Sequence, residues 1–183
     1  MKKYLLILMA LFMLSINTAF AANVNSYSQD AKIRSALTLL NENNAVEVFD
    51  NLDYQKVKIM FHDFSMISFS HAKHYAMKAT SGGKNYILIN SRYKSAPTEA
   101  IACLIAHESF HKLSKATFEE EVMATTKEAI YWMKLGSKTK DYGNDPVVSR
   151  LNNLSDLYTA SDAQSNLIKD RIANSSFYQS QLN

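Results

Sequence analysis

Residues 101–111, which read IACLIAHESFH, form the most informative segment of this 183-residue chain. Pro97 stands a few positions earlier and suits the first turn of a helix, where its missing N–H group is not needed. The residues from Ile101 to Ala106 are apolar and would cover most faces of that helix. Because a helix that is hydrophobic nearly all round is a buried one, we expect this helix to lie at the centre of the fold.

The end of this helix carries two histidines and a glutamate in the pattern HExxH: His107, Glu108 and His111. Positions i and i+4 share a helix face, so His107 and His111 can bind one metal ion while Glu108 reaches a water molecule on it. The pattern is typical of zinc metallopeptidases and predicts Zn²⁺ as the cofactor. The alternative is a chance arrangement, but burying three polar side chains without partners would cost about 1–3 kcal/mol each.

A third metal ligand has to come from outside the motif, because a catalytic zinc ion takes three protein ligands and keeps one open position. The next predicted helix, Phe118 to Leu135, begins with FEEEVMA. Glu121 lies four residues before Thr125 and borders the apolar face of that helix, and Glu120 is its main rival. Acidic residues are also expected in a first helical turn because of the helix dipole. These residues by themselves leave the choice between Glu121 and Glu120 open.

The segment Glu121-Val122-Met123-Ala124, read as E-x-x-A after HExxH, resembles the gluzincin-type zinc metallopeptidases. The resemblance covers about residues 86–132 and implies that Glu121 is the third zinc ligand. It also implies that Tyr86 to Asn90 is the edge strand that pairs with an extended substrate. Only nine residues separate His111 from Glu121, which is fewer than in most gluzincins.

These parts predict an exported metallopeptidase that hydrolyses peptide bonds. Zinc would lower the pKa of its bound water, and Glu108 would take the proton as general base and pass it to the leaving amine. An oxyanion donor could come from Tyr131, Tyr142 or Tyr158, among which the sequence does not choose. The alternative function is a non-catalytic exported zinc-binding or interaction protein that keeps a zincin-like fold.

The rest of the chain predicts an α+β domain, a minimal zincin-like one, mainly helical with a small sheet before the active-site helix. The alternation from Val57 to Phe61 predicts a strand, and Gly82 and Gly83 predict the turn of a hairpin. Met66 to Phe69 is a second candidate strand. Further helices are predicted at 28–40, 146–158 and 163–173, in a chain with only four Gly and two Pro.

Four other side chains are given structural interpretations. His71 and His74 would point to opposite faces of a strand-like segment, so we expect them to lie on the surface rather than on a metal. The lone Cys103 is expected to be a small buried hydrophobic residue. Glu128 is expected to be a solvated helix residue, with a hydrogen bond to a ligand histidine as the alternative.

The N-terminus has the pattern of a secretory signal peptide, 1–21: two lysines, an apolar run from Leu5 to Leu14, and Ala19-Phe20-Ala21. Residues 22–183 are then expected to form a single metallopeptidase domain, periplasmic or secreted. Removing two lysines lowers the formal charge from +3 to 3 − 2 = +1, which gives no reason to expect nucleic acid as a partner. We expect a peptide or protein substrate, no stable membrane insertion and a monomer.

Overall fold

The computed structural model describes residues 24–68, 70–112, 116–160, 166–175 and 178. The predicted signal peptide, 1–21, lies outside the described residues. Within them, six helices have eight residues or more: α1 (Ala31–Glu42), α2 (Val46–Gln55), α3 (Thr98–Ser109), α4 (Phe118–Lys134), α5 (Pro146–Thr159) and α6 (Asn166–Ala173). Three strands accompany them: β1 (Lys58–His62), β2 (Ala76–Ser81) and β3 (Lys84–Asn90). The predicted α+β class is confirmed at this level.

Side-chain caps fix where several helices begin. The Asp30 carboxylate accepts hydrogen bonds from two backbone N–H groups in the first turn of α1. Thr117 and Glu120 form a reciprocal capping box at the start of α4. Asp145 caps α5, and Pro146 occupies its first turn. The predicted α4 and α5 therefore begin at the residues expected from the sequence.

The strands form one mixed sheet in the order β1-β3-β2. β1 is parallel to β3, with Lys58 opposite Tyr86, and β2 is antiparallel to β3 in a hairpin. Gly82 and Gly83 form its turn with φ of 56° and 70°, a left-handed conformation that suits residues without a Cβ atom.

The implication that Tyr86 to Asn90 is an edge strand is wrong. These residues belong to β3, which is hydrogen-bonded on both sides and is the central strand. The physical reason is burial: Ile87 and Ile89 are fully buried, and the parallel partner β1 covers the side that the hairpin leaves open. The edges of the sheet are β1 and β2.

The second candidate strand, Met66 to Phe69, is also wrong for its described part. Residues Phe64–Met66 form a single 3₁₀ turn instead, capped by the Asp63 side chain. Phe69 lies outside the described residues. A capped turn forms the hydrogen bonds of its backbone groups locally, so this segment does not pair with the sheet.

Helix α3 lies at the centre of the domain, as predicted. All its residues from Ala100 to Ser109 are buried. It packs against α1 and α4 and also contacts the sheet through β2 and β3. The end of α3 that carries the histidines therefore faces both the long helix α4 and the edge strand β2.

Candidate metal centre

The three predicted ligands come together between α3 and α4. His107, His111 and Glu121 each offer one ligand atom, and these atoms all lie within 4.8 Å of one another. Their exposed fractions are only 7%, 5% and 5%. His111 lies two residues past the end of α3, but its backbone N–H still donates to the Glu108 carbonyl, and its ring lies beside that of His107.

The separations between these atoms match the edges of a small coordination tetrahedron. The two Nε2 atoms of His107 and His111 are 3.1 Å apart, and Glu121 places its two oxygens 3.7 Å and 3.5 Å from them respectively. Ligands about 2.0–2.2 Å from a tetrahedral zinc ion would be roughly 3.3–3.6 Å from each other. Two imidazole nitrogens and one carboxylate are also donors that zinc prefers.

Two polar atoms of the three ligand side chains, Glu121 Oε2 and His111 Nδ1, are buried and have no hydrogen-bond partner among the described residues. Glu121 Oε2 lies inside the ligand cluster, 3.7 Å from His107 Nε2. An unpaired buried oxygen of this kind costs about 1–3 kcal/mol, and more when it is charged. A cation at the meeting point of the three side chains would satisfy it, so the residues present fit a zinc ion.

Glu120, the alternative third ligand, forms hydrogen bonds at the start of α4 instead. Its carboxylate accepts a hydrogen bond from the backbone N–H of Thr117, and its own N–H donates to the Thr117 hydroxyl. It is therefore part of the helix cap, and Glu121 is the acidic residue that lies beside the histidines.

Glu108 lies next to the three ligands without being one of them. It is only 7% exposed and lines the cleft into which the site opens. Burial raises the pKa of its carboxyl group to about 7, despite the opposing charge of His107. A carboxyl group with a pKa near the working pH can both accept and release a proton, which is what a general base requires.

The interpretation of Glu128 as a solvated residue is wrong. Its side chain is fully buried, and His107 Nδ1 donates to its Oε2 atom over 3.1 Å. Arg150 Nη2 donates to the same oxygen at 2.8 Å, while Nη1 bonds Oε1. Glu128 lies seven residues after Glu121, two turns along the same face of α4, and this spacing was the sequence signal for its position.

The contact between His107 and Glu128 also changes the pKa values of the groups in the site. Burial alone would raise the pKa of Glu128, but the charges of Arg150 and His107 hold it at about 2. Burial alone would lower the pKa of His107, but the Glu128 carboxylate raises it to about 9. For His111, burial and the charge of His107 lower the pKa to about 3. The Glu128 carboxylate therefore favours the protonated form of His107, and a metal ion would compete with a proton for that imidazole.

A buried lysine holds the end of α3 in place. Lys78 Nζ, on β2, donates to the backbone carbonyls of His111 at 2.6 Å and Lys112 at 2.9 Å. It also bonds the Gln55 side chain, whose Nε2 atom donates to the Ser109 carbonyl. A cation at a helix C-terminus satisfies carbonyls that have no partner within the helix.

The cleft beside the site has a volume of about 400 Å³. Its described lining comes from the start of β2, from α3 and α4, and from the C-terminal helices: Lys73, His74, Tyr75, Ala76, Leu104, His107, Glu108, Glu121, Arg150, Arg171, Ser175 and Tyr178.

Among the tyrosines predicted as oxyanion donors, Tyr131 donates to Glu47 and Tyr158 packs on the cluster around Leu154. Neither of these two lines the cleft, and Tyr142, beside Trp132, does not line it either.

The remaining histidine and cysteine predictions have different outcomes. His71 and His74 do not point to opposite faces, because residues His71–Lys73 form a 3₁₀ turn that brings the two rings to 5.2 Å. His74 lines the cleft, which sequence spacing alone did not indicate. Cys103 is fully buried in α3, and burial raises the pKa of its thiol well above the usual value. It is a core residue, as expected.

No protein-family model matches this chain, and no characterised protein or solved structure does so. Among the described residues, no helix combines the length and hydrophobicity that crossing a membrane requires. Function is therefore inferred from the chemistry of the site and not from a relative.

Proposed function

We propose that this protein is an exported zinc-dependent metallopeptidase with a zincin-like domain of gluzincin type. One observation carries the proposal: two histidines and a glutamate converge on one point, with a second, non-ligating glutamate beside them in an open cleft. A structural or storage site needs the ligands but has no use for Glu108. His107, His111 and Glu121 would hold the metal, which supplies a water of lowered pKa and polarises the scissile carbonyl.

The chain's own residues account for the proton transfers. Glu108 would accept the proton of the attacking water and deliver it to the leaving amine, for which its raised pKa is suited. Glu128 accepts from His107 Nδ1, which fixes the ring so that Nε2 faces the ligand cluster. Arg150 keeps Glu128 ionised and so preserves this orientation.

The decisive experiment measures metal content and peptide hydrolysis on the same preparations of residues 22–183. We expect one zinc per chain in the wild-type protein and in Glu120→Ala, and loss of zinc in Glu121→Ala. Glu108→Gln should keep its zinc and lose at least about 100-fold in turnover, because general-base catalysis contributes that much.

The outcomes separate the two functions that the sequence allows. Zinc retained by Glu108→Gln together with no hydrolysis by the wild-type protein, across an unbiased peptide mixture, would favour the non-catalytic zinc-binding alternative. A wild-type protein without zinc would overturn both. Export is tested separately, since a signal peptide 1–21 predicts a mature N-terminus at Ala22 in the periplasm or medium.

A further inference from the structure

Three permanent cations line the cleft beside the proposed metal centre. Lys73 lies just before β2, Arg150 on α5 and Arg171 on α6. The carboxylates among the described lining residues are Glu108 and Glu121, and both belong to the metal site. The part of the cleft away from the ligands is therefore positive.

Arg150 already forms hydrogen bonds with other residues of the protein. Both of its terminal nitrogens bond Glu128, and its guanidinium also donates to the Tyr178 hydroxyl oxygen. The group lies 5.2 Å from the centre of the Tyr75 ring, and its side chain is 16% exposed. These contacts neutralise Arg150 and leave little of it for a ligand.

Lys73 and Arg171 differ from Arg150, because neither forms an ion pair with any described residue. Both side chains are exposed at the cleft. Arg171 Nη1 donates to the neutral Asn153 amide oxygen at 2.6 Å, which orients the guanidinium but leaves its charge uncompensated.

We propose that the cleft selects substrates with a carboxylate close to the scissile bond, bound by Lys73 and Arg171. This inference rests on the proposed peptidase function and names its substrate class. Two chemical sources would supply such a group: the side chain of Asp or Glu, and the free C-terminal carboxylate of a peptide. An arginine oriented by a neutral partner offers paired N–H donors that match a carboxylate, and the lysine adds a second positive charge.

The test measures binding, so that it does not depend on turnover. The zinc-loaded Glu108→Gln protein is titrated by calorimetry with N-acetylated octapeptides of alanine and serine. One Glu is placed at each position in turn and compared with Gln at the same position, all as C-terminal amides. A second arm compares the all-neutral peptide as free acid and as amide. The two arms distinguish the side-chain source from the C-terminal source.

We expect at least one carboxylate-bearing peptide to bind about fivefold or more tightly than its neutral counterpart. This ratio should fall by at least about threefold in Arg171→Gln or Lys73→Gln. Lys169→Gln is the matched control, because it removes one positive charge from an exposed position on the same helix α6 but outside this cleft. It should leave the ratio unchanged.

Two results would overturn the inference: no preference for a carboxylate at any position, or a preference that survives the double variant Lys73→Gln/Arg171→Gln. Thermal unfolding of each variant checks that it is folded. Metal analysis of the same samples reports independently on the proposed zinc site, so failure of that site is not confused with failure of carboxylate recognition.

Discussion

At the scale of single residues, Glu108 is held in an environment that disfavours its charge. The usual pKa of 4.5 is raised by burial to about 7 in the folded protein. A carboxyl group whose pKa is higher in the folded state destabilises that state as the pH rises from 4.5 towards 7. The destabilisation is complete above pH 7 and absent below pH 4.5. The residue proposed as general base is therefore a stability cost in the metal-free protein.

We predict that Glu108→Gln stabilises the metal-free protein at alkaline pH. The free energy of unfolding at pH 8 should rise by about 2–3 kcal/mol, and at pH 5 by less than about 1 kcal/mol. Urea denaturation of the chelator-treated protein at both pH values measures this. Glu119→Gln, at an exposed position of α4, removes the same charge and should change neither value by more than about 0.5 kcal/mol. An equal effect of Glu108→Gln at pH 5 and pH 8 would contradict the raised pKa of Glu108 in the folded protein.

At the scale of secondary-structure elements, one buried ion pair connects three helices. Glu128 on α4 contacts His107 on α3 and Arg150 on α5. The carboxylate is fully buried, and the arginine side chain is 16% exposed. Removing one member of such a pair leaves an uncompensated charge in the interior, which is more damaging than removing both.

We predict that Arg150→Met lowers the free energy of unfolding by about 3–5 kcal/mol. The double variant Glu128→Gln/Arg150→Met should be less destabilised than the sum of the two single variants by about 1–3 kcal/mol, because it removes both charges of the Glu128–Arg150 pair. Urea denaturation of the four proteins forms the double-mutant cycle. Lys138→Met is the control, since Lys138 pairs with Asp156 at the surface, and its loss should cost no more than about 1 kcal/mol. Strict additivity of the Glu128 and Arg150 changes would show that the pair does not act as a unit.

The elements also show how far the sequence predicts this fold. The bounds of α4 and α5 follow from residues next to them in the chain, since Thr117, Asp145 and Pro146 act on the first turn. The central position of α3 follows from its own composition. The strand order does not follow, because β3 becomes central only through its pairing with β1, which is more than twenty residues away.

In the candidate site, too, some contacts follow from local sequence and others depend on residues that are distant in the chain. HExxH spacing within one helix predicts that His107 and His111 meet, and the face of α4 favours Glu121. Helical periodicity places Glu128 on the same side of α4 as Glu121, but whether that side is solvated depends on α5. Lys78 carries no local signal, because its carbonyl partners at 111 and 112 are distant in sequence. The contacts of Glu128 and Lys78 are therefore determined by tertiary packing and cannot be predicted from local sequence.

At the scale of the whole molecule, zinc would join the buried central helix α3 to the long helix α4 that packs against it. α3 supplies His107, with His111 just past its end, and α4 supplies Glu121. A ligand that binds only the folded state stabilises it by about 4 kcal/mol at a thousandfold excess over Kd. For a chain of this size, about 1 kcal/mol shifts Tm by roughly 2–4 °C.

We therefore predict that removing the metal lowers Tm by roughly 10 °C and that stoichiometric Zn²⁺ restores it. Differential scanning calorimetry of the chelator-treated protein, with and without Zn²⁺, measures both. Mg²⁺ should not restore Tm, because two of the three donors are imidazole nitrogens and Mg²⁺ prefers oxygen ligands. Glu121→Ala should lose the response to Zn²⁺, and Glu120→Ala should keep it. A Tm that is the same with and without zinc would mean that the three side chains do not hold the metal in the folded protein, whatever their geometry.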